Sequence, residues 1–376
     1  MTVGIYLDYN ATARVRPEAA RAVIEALERG GNPSSAHAAG RKARATVEAA
    51  RAEVAALLGA PSTAVTFVSG GTEANALAIE SAVLAGFTRI IVGATEHDAV
   101  RATAEASGLP VEVWPVDRSG LADLAWLEGR LAQDRAALVC LMAANNETGV
   151  IQPVAETARL TRASGGWLHV DAVQAAGKVA MDFEALGADT LALSAHKLGG
   201  PQGSGALVAG PRATLSRRLH GGGQEGGRRA GTENVPGIAG FGAAASAAKA
   251  QVGALADQSV WRDALAGKIV AAGGVVVGNG APRLPQTLCI ATPGFGAELQ
   301  VMALDLAGLM ISAGAACTSG KLRPSGVLVA MGAPDLAACS VRISGGWGST
   351  AADWAACGEA WLEAHARKSV HRREFA

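Results

Sequence analysis

Between Ala64 and Val208, short apolar runs alternate with segments whose apolar residues recur at helical spacing. No other feature of the chain restricts its fold as much. The extended runs cover residues 64–68, 90–92, 111–114, 137–142, 167–171, 190–194 and 206–208; the helical segments cover 72–85, 98–106, 121–131 and 154–163. Runs without a polar face must be covered on both sides. The pattern therefore predicts an α/β fold: a mostly parallel sheet with helices on both faces. In such a sheet the ligand site lies at the carboxyl ends of the strands, where the loops gather. Two helices precede the alternation, at 17–29 with a proline in the first turn and at 39–58 with Gly59 as its stop. After Pro236 the texture changes. An alanine-rich helix at 238–256 is expected to lead away from the sheet, followed by strands at 275–277 and 287–290. Residues 14–250 are thus expected to form a large domain, and 1–13 with 251–376 a smaller α+β domain. The basic tail, 367–373, is expected to fray.

Charge excludes some functions. Lys+Arg and Asp+Glu both number 33, so no surplus points to nucleic acid or an anionic membrane surface. Hydrophobic residues at 49% and charged residues at 18% supply a large core and argue against disorder. The five cysteines are scattered, with no CxxC, which suits neither a disulfide framework nor a zinc site and fits a reducing compartment. No apolar stretch reaches spanning length, and Met1 to Ile5 lack a basic region followed by an apolar run. The expectation is a soluble cytoplasmic protein without a metal.

Four loops at expected strand ends carry the chemistry. Ser69-Gly70-Gly71-Thr72-Glu73 is a strand–turn–helix junction whose amides and Thr72 hydroxyl suit a phosphate, although Thr72 as a plain N-cap reads equally well. Asn145-Asn146-Glu147-Thr148-Gly149 is a polar loop after an apolar strand. Asp171 ends a buried strand, so its carboxylate is expected to need a cationic partner. Lys197, in Ser194-Ala195-His196-Lys197-Leu198-Gly199-Gly200, puts an ammonium at the end of another. That placement is costly unless the amine is paired, deprotonated or covalently used. A carboxylate and a lysine on neighbouring strand ends, beside a phosphate cradle, suggest pyridoxal phosphate. Asp171 would keep its pyridine nitrogen protonated and Lys197 would hold its aldehyde. From these residues alone, a structural ion pair between Asp171 and Lys197 stays open.

One further stretch stands out. Residues 312–320 surround Cys317 with small side chains that cannot anchor a core. An accessible thiol there is a candidate nucleophile. A buried, inert thiol is the alternative, and it suits Cys140, Cys289, Cys339 and Cys357.

Several motifs run in one order along nearly the whole chain: Tyr6-Leu7-Asp8-Tyr9-Asn10-Ala11-Thr12, Gly31-Asn32-Pro33-Ser34-Ser35-Ala36-His37, Thr95-Glu96-His97, Asn145-Asn146-Glu147, Asp171-Ala172-Val173-Gln174, Ser194-Ala195-His196-Lys197, Gly221-Gly222-Gly223-Gln224-Glu225, Arg229-Ala230-Gly231-Thr232 and the Cys317 loop. In these the chain resembles the cysteine desulfurases, pyridoxal-phosphate enzymes of the class-V aminotransferase group. The likeness is closest to the branch serving nitrogen fixation and housekeeping iron–sulfur assembly. The resemblance implies fold type I, a homodimer, and conversion of L-cysteine to L-alanine. A persulfide would be left on Cys317 for an iron–sulfur scaffold or another sulfur acceptor. It also implies roles. Lys197, Cys317 and His97 would be catalytic, with His97 stacked on the cofactor ring. Gln174 would bond the ring hydroxyl. Gly71, Thr72, Ser194 and His196 would hold the phosphate, joined by Thr232 from the other subunit. Asn146 would touch cofactor and substrate. Asn10, Asn32 and Arg342 would bind substrate, Arg342 by a two-pronged bond to its carboxylate.

Some residues depart from the family's pattern. Gly71 and Ala74 stand where Ala and Ser are common, and Gly226-Gly227 where housekeeping members often have Arg-Gly. The chain also stops soon after its last helix. These departures bear on the acceptor rather than the chemistry. A selenocysteine lyase, or another class-V lyase or transaminase, would share most of the site without needing a loop thiol. A sulfur carrier or scaffold with a retained fold would not need Lys197 and Asp171.

Overall fold

The computed structural model describes residues 4–134, 136–314 and 324–374. The chain begins with β1 (Ile5–Tyr6), α1 (Pro17–Arg29), α2 (Ala38–Leu57), β2 (Val65–Val68), α3 (Gly71–Leu84), β3 (Ile90–Gly93) and α4 (Asp98–Ala106). It continues through β4 (Val111–Trp114), α5 (Leu124–Gln133), β5 (Leu138–Met142), α6 (Val154–Ala163), β6 (Trp167–Asp171), α7 (Phe183–Leu186), β7 (Thr190–Ser194) and β8 (Gly205–Ala209). The remainder is α8 (Val235–Ala256), α9 (Gln258–Ala271), β9 (Val275–Val276), β10 (Thr287–Ala291), α10 (Ala297–Leu306), β11 (Leu309–Met310), β12 (Ser312–Ala313), α11 (Gly326–Ala330), β13 (Ser340–Ser344) and α12 (Ala351–Glu374).

The apolar runs pair into a seven-stranded sheet of order β2-β8-β7-β6-β5-β3-β4. Strands β7, β6, β5, β3 and β4 are parallel, and every residue of β5, β6 and β7 is buried, as strands sandwiched between helix layers must be. Only β8 runs against its neighbours. Strand β2 therefore points the same way as β7, and its carboxyl end joins the others. A second, antiparallel sheet of order β12-β13-β10-β9 has its own core, built on Leu7, Leu288, Ile290, Val341, Ile343, Trp354 and Trp361.

Three local expectations are corrected. Helix α5 starts at Leu124 rather than 121, because the Asp123 carboxylate caps it by accepting the Trp126 amide at 3.0 Å while Ala122 bridges Val116. Helix α8 starts at Val235 and does not leave the sheet layer: it packs on α1 and α2. The close approach needs glycine, since a Cβ on Gly242 would lie 2.6 Å from the Ala50 Cα. The basic tail is helical to Glu374, because α12 buries Trp354, Cys357, Trp361 and Ala364 at helical spacing and carries the backbone onward.

A buried ion pair fixes the glycine-rich segment 221–231 against β2. The Arg51 guanidinium donates to both Glu225 carboxylate oxygens, at 2.7 and 2.9 Å, and to the Val65 carbonyl at 3.0 Å. Glu225 also accepts the Phe67 amide at 2.8 Å, and its φ of 49° is the left-handed region. Truncation in Glu225→Ala removes the two-pronged partner and leaves Arg51 with the exposed Glu48 carboxylate at 3.1 Å and the Val65 carbonyl. A stability loss of about 1–3 kcal/mol is expected, read from the denaturant midpoint.

Candidate active site

Parallel register brings the functional loops together. Met142 pairs with Asp171, and Asp171 with Ala192, so the loops after β5, β6 and β7 leave the sheet side by side. Asp171 is buried. Its Oδ2 accepts from Asn75 Nδ2 at 2.8 Å and its Oδ1 from the Val173 amide at 3.0 Å. No lysine or arginine among the described residues bonds it, so the expected cationic partner is replaced by amide donors. Burial raises its carboxyl above the ordinary range, while those donors and the charges of His97 and Lys197 pull it down.

Lys197 closes the single turn that follows β7. Its Nζ donates to the backbone carbonyls of Asn10 and Ala11, both at 2.7 Å. The structural ion pair with Asp171 is therefore not formed. Burial, and next the Arg342 charge, lower the Lys197 amine to about 8. An amine with no counter-ion bonded to it among the described residues can give up its proton near neutral pH and act as a nucleophile.

Asn10 links the two sheets. Its Nδ2 donates to the Asn146 carbonyl at 3.2 Å and to Thr287 Oγ1 at 3.0 Å, and its amide donates to Ser344 Oγ at 3.0 Å. Its Oδ1 accepts from Lys178 at 3.2 Å, and its carbonyl from Gln174 Nε2 at 2.9 Å. Gln174 Oε1 accepts from Lys178 at 2.5 Å, which fixes the orientation of the Gln174 amide and leaves one N–H and one lone pair unused. Sequence reasoning missed Lys178, Asn75 and His169. The signal for Lys178 was a lysine four residues after Gln174 in an otherwise apolar stretch; its burial pushes the amine well below its ordinary value.

Arg342 of β13 is buried. It pairs with Asp8 at 2.7 Å and donates to the Asn146 carbonyl at 3.2 Å, while its Nε has no partner among the described residues. A carboxylate docked there would satisfy that donor.

At the phosphate end, α3 starts from Gly70, with no side-chain cap on its amides, and Thr72 is exposed rather than capping. Glu73 instead accepts the Ser69 amide at 2.7 Å and pairs with Arg229 at 2.9 Å. A Cβ on Gly71 would lie 2.8 Å from Val173 Cγ2 and 3.6 Å from Ser194 Cβ. This places the start of α3 against the Asp171 loop, and explains why glycine stands where an alanine was expected. His196 Nδ1 lies 3.1 Å from Thr12 Oγ1, and burial lowers its ring to about 4. His97 is exposed and caps α4, its Nδ1 accepting the Ala99 amide at 3.0 Å.

Two residues stand outside this cluster. Asn32 is exposed and accepts the Ser34 amide at 2.8 Å, with no bond to the residues around Lys197. Thr232 lines a groove with Ser69, Glu225 and Arg229. Cys317 lies outside the described residues. The other four cysteines are buried, and burial raises all four thiols, Cys357 to about 12.

The arrangement fits pyridoxal phosphate: an amine of lowered pKa, an oriented buried carboxylate, and an uncapped helix start beside them. Residues 5–355 match the model of the family described as aminotransferase class-V. The chain belongs to the class-V aminotransferases. Like other members of that family, it depends on pyridoxal phosphate. It is 42% identical over 360 residues to a cysteine desulfurase of Cereibacter sphaeroides, covering 93% of this chain and 92% of that one. A NifS-like protein from Rickettsia africae superimposes with a TM-score of 0.88 at 34% identity, covering 96% of this class-V chain and 99% of the other. The solved structure described as SspA in complex with cysteine matches with a TM-score of 0.78 at 28% identity, covering 90% and 98%. No helix among the described residues is long and apolar enough to cross a membrane.

Proposed function

We propose that the protein is a cysteine desulfurase, which frees sulfur from L-cysteine as L-alanine forms, with Cys317 as the thiol that takes the sulfur. One observation carries this reading. The strand that leads to residue 317 pairs with the strand of Arg342, Ser312 facing Arg342 in register. A substrate carboxylate on Arg342 would thus lie next to the start of the thiol segment. Beyond that segment, Ser325 Oγ donates to Glu147 Oε2 at 2.5 Å, one residue from Asn146. Both flanks of the segment are tied to the substrate end.

Lys197, Asp171 and the start of α3 would hold pyridoxal phosphate, which when bound would supply an electron sink for loss of the substrate Cα proton. Lys197 would take that proton. Arg342 would fix the substrate carboxylate, and His97, exposed at the start of α4, would cover the ring. The Cys317 thiolate attacks the substrate sulfur. The Cβ–S bond breaks, its electron pair stays with carbon, and a proton delivered to Cβ, with the Cα proton returned from Lys197, completes alanine. One sulfur remains on Cys317 as a persulfide; an acceptor thiolate that attacks the outer sulfur would take it as a new persulfide and free the Cys317 thiolate, whereas release as sulfide would need a two-electron reductant.

We further read the protein as a cytoplasmic homodimer in which Thr232 completes the partner's phosphate site, with residues 14–250 as its large domain. Support for the dimer is the exposure of Thr232 and Thr72. The test is to incubate the cofactor-loaded protein with L-cysteine and no reductant. Stoichiometric alanine and one added sulfur on the Cys317 peptide are expected. Alanine without added sulfur would favour a lyase, and no alanine a scaffold.

A further inference from the structure

Strand β6 is buried throughout, yet alternate residues on it are polar. Trp167, His169 and Asp171 share one face because side chains alternate along a strand. Thr190 of β7 pairs with His169, and Asn75 comes from α3. Trp167 Nε1 lies 3.1 Å from Thr190 Oγ1, which lies 3.0 Å from His169 Nδ1. His169 Nε2 lies 2.9 Å from Asn75 Oδ1, and Asn75 Nδ2 lies 2.8 Å from Asp171 Oδ2. All five residues are buried.

Each end of this chain dictates the direction of its bonds. An indole N–H can only donate, so Thr190 accepts it at one lone pair and keeps its own hydrogen free to turn toward His169 Nδ1. A carboxylate can only accept, so Asn75 turns its NH₂ to Asp171 and its oxygen to His169, which then carries its hydrogen on Nε2. The Asn75 end selects the neutral tautomer with the hydrogen on Nε2, and the Thr190 hydroxyl is placed to donate to the bare Nδ1. Burial lowers the His169 ring to about 3, so it stays neutral. The other groups acting on Asp171 are Glu96, His97 and Lys197. Burial, and next the Asp171 charge, push the Glu96 carboxyl well above its ordinary range, which favours its neutral form beside Asp171.

We infer that Asn75, His169 and Thr190 are positioning residues: a one-way hydrogen-bond relay, anchored on Trp167, that holds Asp171 as an oriented anion where it meets the pyridine nitrogen. This rests on the pyridoxal phosphate reading of the site. Bonds in such a chain polarise one another, so losing a distant member weakens the donor at Asp171. Without Asn75 only the Val173 amide would remain on a carboxyl that burial already pushes toward its neutral form. A neutral Asp171 could not keep the ring nitrogen protonated.

The first test uses the cofactor-free protein. Nitrogen NMR of ¹⁵N-histidine-labelled protein, assigned with His169→Gln, should show His169 neutral and protonated at Nε2 between about pH 5 and 8. Protonation at Nδ1, or titration in that window, overturns the relay. The second test loads the protein with ¹⁵N-pyridoxal phosphate, whose ring-nitrogen shift reads its protonation. Asn75→Ala and His169→Phe should lose ring protonation and bind the cofactor roughly 10-fold more weakly. His169→Gln, whose amide can accept from Thr190 and donate to Asn75, should restore both. Equal defects in the Phe and Gln variants would mean packing only and overturn the inference. If the wild-type protein fails to take up the cofactor, the site reading fails, while the histidine spectrum still decides the relay.

Discussion

Lys197→Ala is expected to lower alanine formation from L-cysteine by about 10⁴-fold or more, because one amine serves both as cofactor anchor and as proton carrier. The loss should not come from unfolding. The buried Lys197 amine titrates at about 8, against 10.5 for an ordinary lysine. Between those values the unfolded chain binds the proton and the folded chain does not, so stability rises with pH across that window. Below about 8 the folded protein carries the full cost of a buried ammonium. The variant should therefore lose the Lys197 share of the expected rise in melting temperature from pH 8 toward 10.5, while the buried Lys178 amine keeps its own share. Cofactor uptake gives an independent readout. In the wild type it should level off above about pH 8, where an ordinary lysine would still be gaining neutral amine up to 10.5. Uptake that keeps climbing to that higher value would contradict the lowered pKa.

The second large effect is expected at Cys317. Cys317→Ala should bind pyridoxal phosphate with the wild-type absorption band, yet release sulfur about 10³-fold more slowly or worse and add no sulfur to the chain after L-cysteine. Cys357→Ala serves as the control, since its thiol is buried and pushed up to about 12. It should keep both the turnover and the added sulfur. A Cys317→Ala enzyme that still makes alanine at the wild-type rate would assign the protein to a lyase that needs no thiol. Selenocysteine turnover in the same variant separates that outcome from simple inactivation.

The sequence made one half of this site legible. Apolar runs at strand length placed Asp171 and Lys197 at the ends of β6 and β7, and parallel order put those ends together. Glycines marked the start of α3. Those signals are local, so a reader of the chain can follow them. The partner of Asp171 was misjudged. A cation was expected because a buried carboxylate is costly alone, but two amide donors meet that cost. Lys178, the buried amine that orients the Gln174 amide, was missed.

By itself, then, the sequence determined the strand–helix alternation, the chemical identity of the two central side chains and the isolation of one thiol among small residues. Which groups face them was decided by tertiary structure. Asn75 reaches Asp171 from another helix, Arg342 and Ser344 reach the Asn10 segment from the second sheet, and Arg51 meets Glu225 across β2. The physical reason is that strand and helix periodicity fix the face a residue occupies, whereas a hydrogen-bond partner far along the chain is fixed only once sheet register and helix packing bring the two faces into contact.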